Sequence, residues 1–450
     1  MPDSINRISA LLLIAFALLI GALGYWAASG PSLTAREDNP RRVLDERRIL
    51  RGAILDRDGA VIVQTVGQPG AYARHTLYPD AAPFIGYYSI NYGTSGVEQA
   101  FDGTLRGTAG VDPLQARVDR LLHVSPSGRA VQLTIDLDVQ RTADALLAKR
   151  GRTGAIVVLS VPAGDILALS SQPTFDPNTL DDNWDTLRAN PSAPLLNRAT
   201  QGQYQPGTAL QPILLGEALR RGAAALDDTP EFPVSPLRID GRELMCRDTT
   251  DVVTLVDAFR AACPAPFADL GAVLGSDALW NIAARWGLTA TNATGIQSTA
   301  PITRSLPLTD TRALREFAAG QGPLTMTPLQ MAVVAAALAA RGEMPAPRIV
   351  SGTQSIAGSW QLADRSLTRR VLPSGTGEQV AAAMRQSDNL AWHAGIGLSG
   401  PARLLWFIGF TPIDRPKYAI AVLIEAGADE LGSDQDAFAI GQVLLTALPR

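Results

Sequence analysis

The sequence predicts an α+β body in which an antiparallel sheet is flanked by helices, preceded by a small β-rich N-terminal module and one transmembrane helix. Three observations predict it. Residues 8–30 contain no charged side chain, and about 20 apolar residues in a helix match the hydrocarbon thickness of a bilayer. Hairpin signals stand near both ends of residues 151–450. Ala155–Leu159 and Ile166–Leu169 flank a Pro162-Ala163-Gly164-Asp165 turn, and Leu404–Phe410 and Ala419–Glu425 flank Pro412–Pro416; such runs around Pro/Gly turns read as paired strands. Between the hairpins lie the helical stretches Leu210–Leu226, Val253–Cys263, Asp277–Trp286, Pro328–Arg341 and Glu378–Arg385. Strands at both ends with helices between argue for one sheet assembled from the two hairpins.

In chain order, residues 1–7 form a short tail and residues 8–28 the membrane helix, with Tyr25 and Trp26 where interfacial aromatics are usual. The alternative is a signal peptide cleaved near Ala27-Ala28-Ser29; the length of the apolar stretch favours a retained anchor. Only Arg7 precedes the helix, while Arg36, Arg41, Arg42, Arg47 and Arg48 follow it. Positive charges alone would leave the C-terminal side in the cytoplasm, but long domains translocate largely regardless of them. Residues 29–50 are a polar, Arg-rich stalk. Residues 51–150 carry short β-like runs (Ala53–Leu55, Val61–Gln64) among Asp-Gly and Pro-Gly turns, then strand-like Val131–Ile135 and helical Val139–Arg150. Residues 151–450 form the main body, which ends in an amphipathic helix over Asp436–Leu448.

The chain is 46% hydrophobic and 18% charged, ordinary for a protein with a real core, and its net charge of −4 gives no sign of nucleic-acid binding. Arginine dominates the cations: the only lysines are Lys149 and Lys417. Cys246 and Cys263 are the only cysteines. In an exported chain such a pair reads as a disulfide, the alternative being two buried thiols.

Several segments, taken together and in order, carry a resemblance. Arg51-Gly52-Ala53-Ile54-Leu55-Asp56-Arg57-Asp58-Gly59 and Gly96-Val97-Glu98-Gln99-Ala100-Phe101-Asp102 with Leu105-Arg106-Gly107 resemble the N-terminal signatures of class B (monofunctional) penicillin-binding proteins. Leu133-Thr134-Ile135-Asp136 with Gln140, Gly164–Ala168 and Pro173–Asn178 are similar to the start of their transpeptidase domain, which is β-lactamase-like. Asn197-Arg198-Ala199 with Tyr204-Gln205-Pro206-Gly207 looks like the approach to the catalytic motif, and Gly320–Gln330 like a segment on its far side. The resemblance covers roughly residues 36–450. It implies an extracytoplasmic body on a single-pass cell-membrane anchor over Ile8–Ala28, acting in peptidoglycan synthesis or cell division.

The resemblance also implies a Ser-x-x-Lys nucleophile, a Ser-x-Asn and a Lys-Thr-Gly strand, because a hydroxyl is a weak nucleophile until a base activates it. Here Thr208 stands for the serine and Gln211 for the lysine, and an amide accepts no proton near neutral pH. Ala262-Cys263-Pro264 stands at the second motif. The third aligns with Leu398-Ser399-Gly400, followed by Pro401. Pro212, lacking an N–H for the Thr208 carbonyl, should loosen the first turn. Thr208 therefore reads as a helix N-cap, and Thr208, Gln211, Ala262, Pro264, Leu398, Ser399 and Gly400 as vestigial positions. Thr208 and Ser399 are the candidates for residual binding of a stem peptide.

The expected function is a catalytically inactive pseudo-transpeptidase, a scaffold, regulator or weak muropeptide binder among cell-wall or division proteins. The alternative is an active D,D-transpeptidase that uses Thr208 and binds penicillin. A His393–Ser399 hydroxyl–base pair lacks a third orienting group. Gly395–Gly400 fits G-x-G-x-x-G but lacks the preceding strand and following helix of a dinucleotide site. His75, His123 and His393 have no metal-ligand spacing. Asp429, Glu430, Asp434 and Asp436 read as a solvated acidic loop. No metal or cofactor is expected.

Overall fold

The computed structural model describes residues 2–34, 40–122, 124–149, 151–161, 163–291, 294–299, 308–365, 368–427 and 436–449. His123, Pro162 and the acidic positions 429, 430 and 434 lie outside the described residues. Helix α1 (Pro2–Thr34) contains the apolar stretch Asn6–Ser29, of mean hydropathy 2.4, with none of its window buried in the protein. It is long and apolar enough to cross a membrane.

The N-terminal sheet has six strands, in the order Trp360–Leu362, Val350–Gln354, Val131–Leu133, Ile54–Leu55, Val61–Val66, Ala73–Thr76. Two of its strands come from far along the chain: Val350–Gln354 pairs antiparallel with Val131–Leu133. Beside the sheet the two N-terminal signatures meet. Arg51 bonds Glu98 at 2.7 Å and Asp102 at 2.6 Å, and Arg74 bonds Glu98 at 2.6 Å. Arg51 also lies 4.3 Å from the Tyr88 ring centre.

The main sheet has five strands: β1 (Thr153–Ser160), β2 (Ile166–Gln172), β3 (Ala391–Ser399), β4 (Ala402–Thr411) and β5 (Tyr418–Ala426). Its order is β3-β4-β5-β1-β2, antiparallel throughout. The two hairpins do join, through β5 against β1. The sequence reading lacks one full strand, β3, whose glycines blur the alternation that marks a strand. Helices α2 (Leu137–Lys149) and α7 (Asp436–Ala447) bury their apolar faces on one side of the sheet. On the other side lie α3 (Gln211–Arg221) and α6 (Pro328–Ala339), the latter buried on every face. Apolarity all round a helix is what such burial demands.

The stretch expected as a helix over Val253–Cys263 is shorter in the structure: it gives α4 (Leu255–Arg260), opened by a Thr254/Asp257 capping box, and a second helix, α5 (Pro264–Leu274), begins just beyond it. Between them Ala262 takes φ +54°, a left-handed conformation that ends a helix. Pro264 then starts α5, where its missing N–H removes no helical bond.

Candidate active site

Gly207–Leu210 forms a 3-10 turn that runs directly into α3. Pro212 explains the tightening: the Thr208 carbonyl cannot be met four residues on, so Gln211 N–H bonds it instead. A second partner fills the vacancy, since His393 Nε2 lies 3.0 Å from the same carbonyl. The first turn is tight rather than loose. Nor is Thr208 an N-cap: it lies inside the turn, and its Oγ1 accepts the Ile396 N–H at 3.0 Å. Thr208 is 2% exposed.

Strand β3 lies against this turn through glycines. A Cβ on Gly395 would overlap the Ala209 nitrogen and sit 2.7 Å from the Thr208 carbonyl carbon. One on Gly207, at φ +55°, would overlap the Ile396 carbonyl. The strand residues that meet Thr208 are therefore His393, Gly395 and Ile396. This corrects the third-motif alignment. Leu398 is buried in a separate apolar cluster with Leu237, Ile239 and Leu244, while Ser399 and Gly400 are exposed at the β3–β4 turn. A strand residue that shared a proton with the Thr208 hydroxyl would stand at 393–395, and that register holds His393-Ala394-Gly395. The His393–Ser399 pairing also fails: the two lie six positions apart on one strand, about 20 Å, one buried and one exposed.

The free edge of β3 is mostly occupied. The outward N–H of Trp392 bonds Met384 O, that of Ile396 bonds Thr208 Oγ1, and that of Leu398 bonds Gln321 Oε1. Gln211 is 1% exposed; its Nε2 donates to the Cys263 carbonyl at 2.7 Å and its Oε1 has no partner among the described residues. Ala262 and Pro264 supply neither hydroxyl nor amide beside it, and Cys246 and Cys263 are bonded to each other. Both lysines are exposed, Lys149 at the end of α2 and Lys417 before β5. Among the described residues Thr208 Oγ1 is hydrogen-bonded to the Ile396 N–H, and no group of three or more His, Cys, Asp or Glu could hold a metal.

His393 was legible only as an isolated histidine. Its ring stacks on Phe259 at 4.5 Å, and it must donate from Nε2 because a carbonyl only accepts. Burial pushes the imidazole down to about 4, against the Thr208 hydrogen bond, which raises it. With its folded value below the unfolded 6.5, the ring contributes stability that is present above pH 6.5 and lost as pH falls to about 4. The excess stability of the native chain over His393→Gln should therefore grow by about 3 kcal/mol between pH 4 and pH 7. Chemical denaturation across that range measures it, and a flat difference refutes the assignment. Asp144, pushed up to about 6 by burial, acts with the opposite sign and cancels in the comparison.

The antiparallel sheet, the helical cluster, and the turn that opens a helix against the edge strand make up the fold of a penicillin-binding-protein transpeptidase domain. Residues 154–443 match the penicillin binding protein transpeptidase domain, and residues 51–131 match the penicillin binding protein A dimerisation domain. The chain belongs to the class B penicillin-binding proteins. It is 30% identical to the peptidoglycan D,D-transpeptidase PbpA of Mycolicibacterium smegmatis, over 100% of this chain and 99% of the relative. The crystal structure of PBPA from Mycobacterium tuberculosis superposes with a TM-score of 0.78 at 29% identity, over 89% of this chain and 99% of that one. The imipenem acyl-enzyme complex of the same protein gives 0.79 at 28% identity, over 90% and 99%.

Proposed function

We propose that this chain is a membrane-anchored penicillin-binding protein of peptidoglycan synthesis whose transpeptidase fold serves as a binding and scaffolding body rather than an acyltransferase. One observation carries the reading. The hydroxyl that would attack is buried and accepts the Ile396 N–H, and the residue one turn on is Gln211, an amide that takes no proton near neutral pH. Loss of a positioned general base typically lowers a rate by about 10² to 10⁴. The missing positions are Thr208, Gln211, Ala262 and Pro264, with His393-Ala394-Gly395 on the strand. The body faces outward, where peptidoglycan is assembled, and its partners are wall-synthesis or division proteins.

The second reading is an active D,D-transpeptidase that uses Thr208. The comparisons favour it: the relatives are named D,D-transpeptidases, and the M. tuberculosis protein has been captured as an acyl-enzyme. A fluorescent penicillin separates the two. On the purified full chain, intact-mass analysis should detect no covalent adduct after hours. A stoichiometric adduct that disappears in Thr208→Ala establishes the second reading.

A further inference from the structure

The helix Pro113–Leu121, in the N-terminal module, is patterned the wrong way round for a body surrounded by water. Asp112 opens it: its Oδ1 accepts the Leu114 and Gln115 N–H at 2.7 and 3.2 Å, and Gln115 donates to Asp119 one turn on at 2.7 Å. Leu114, Val118, Leu121 and the following Leu122 recur at helical spacing and share one stripe. Such a stripe ordinarily faces a core. Here Leu114 is 70% exposed, Leu121 79% and Leu122 67%, and Val118 and Val124 are exposed as well. The half-buried residues of the helix are Ala116 and Asp119. Contiguous apolar surface of this kind marks an interaction site.

The tether determines what lies opposite. Glu46, at the end of the short helix Pro40–Glu46, is bonded to Arg106 at 2.8 Å and to Tyr88 at 2.9 Å, which fixes that helix end to the module. From Thr34, the end of α1, to Pro40 the chain reaches at most about 22 Å even when extended. The short helix adds about 9 Å. The module is therefore held within about 30 Å of the end of α1. The exposed helix is joined to this landing point on both sides. Before it stands Arg106, which holds Glu46; after it, Ser127 bridges Leu50, and Gly128 N–H bonds the Leu50 carbonyl at 2.9 Å. Leu44 and Leu50, on the tether, are exposed apolar residues too. Arg47 and Arg48 on the tether and Arg117 on the helix are exposed cations, suited to lipid phosphates.

We infer that the helix Pro113–Leu121 lies in the surface of the membrane that α1 spans, with Leu114, Val118, Leu121 and Leu122 inserted at the headgroup–acyl boundary. A helix of this kind buries its apolar face about 5–10 Å deep. A single anchor fixes the distance of the module from the bilayer but not its tilt; a second contact beside the tether fixes both. The inference is independent of whether Thr208 is catalytic and rests on α1 as the membrane anchor.

Bimane fluorescence on the full chain, reconstituted in phosphatidylcholine–phosphatidylglycerol vesicles, tests it. Single cysteines replace Leu121, Ile20 in α1, or the exposed Gln379 in the main body, the native cysteines being bonded to each other. The label at Leu121→Cys should be quenched by nitroxide on the lipid acyl chain, as at Ile20→Cys, and shielded from aqueous iodide. Gln379→Cys should show the reverse. Adding Val118→Ser and Leu122→Ser should return the Leu121→Cys label to iodide with unchanged melting, because these side chains are exposed. Iodide quenching of Leu121→Cys alongside lipid quenching of Ile20→Cys overturns this inference alone, as does lipid quenching that survives both serines. No lipid quenching at Ile20→Cys sinks the anchor and the inference together. Shielding of Leu121→Cys from both quenchers, with a dimer by mass photometry, gives the stripe to a second copy and overturns the membrane contact.

Discussion

Glu98→Ala should destabilise the N-terminal module by about 3–5 kcal/mol, the range found when one partner of a buried ion pair is removed. Glu98 is 2% exposed and is shared by two guanidiniums, those of Arg51 and Arg74. Removing it leaves both charges in a low-dielectric site, with the half-exposed Asp102 bonded to Arg51 and Glu46 acting on it through space. Arg51→Met should be milder, because Glu98 keeps Arg74 and Asp102 can reach water. The double variant should fall short of the sum, as expected for residues in one network. Amide hydrogen exchange over residues 51–131 reads the effect where it occurs. Equal losses in the two single variants would refute the shared-carboxylate account.

Gly395→Val should be comparably severe in the main body. Overpacking a core typically costs about 1–3 kcal/mol, through side chains that shift. Here the new carbon meets backbone, the Ala209 nitrogen and Thr208 carbonyl carbon, which cannot rotate away. The strand must leave the turn, which also breaks the Ile396–Thr208 and His393–Thr208 bonds. A loss of about 3 kcal/mol or more is expected in chemical denaturation. Gly400→Ala supplies the contrast. Its φ is +52° but nothing lies within 4 Å of the added carbon, so only conformational strain of about 1 kcal/mol applies. If the two substitutions cost the same, the close approach of strand and turn is wrong.

Much of the site was legible before any fold was known, but not its register. The identities at Thr208, Gln211, Ala262 and Pro264 needed only their neighbours in sequence. The third motif was placed at Leu398-Ser399-Gly400, whereas the residues against Thr208 are His393, Gly395 and Ile396. A signal was present: Gly395 and Gly397 share one strand face with His393, and glycines at that spacing mark close backbone approach. Pro212 was read correctly as removing a donor and incorrectly as loosening the turn, because its effect depends on a histidine 181 residues away.

By itself the sequence determined the long apolar N-terminal helix, the α+β class, the two hairpins and the residue types at Thr208 and Gln211. All of these rest on local composition, periodicity or the identity of single residues. Tertiary structure alone decided that strands from residues 350–362 complete the N-terminal sheet, that β3 abuts the 208 turn in one register, and that the apolar stripe of Pro113–Leu121 faces outward. The reason is physical. A pairing between distant segments is selected by what each buries against the other, and neither segment encodes its partner's position in its own pattern.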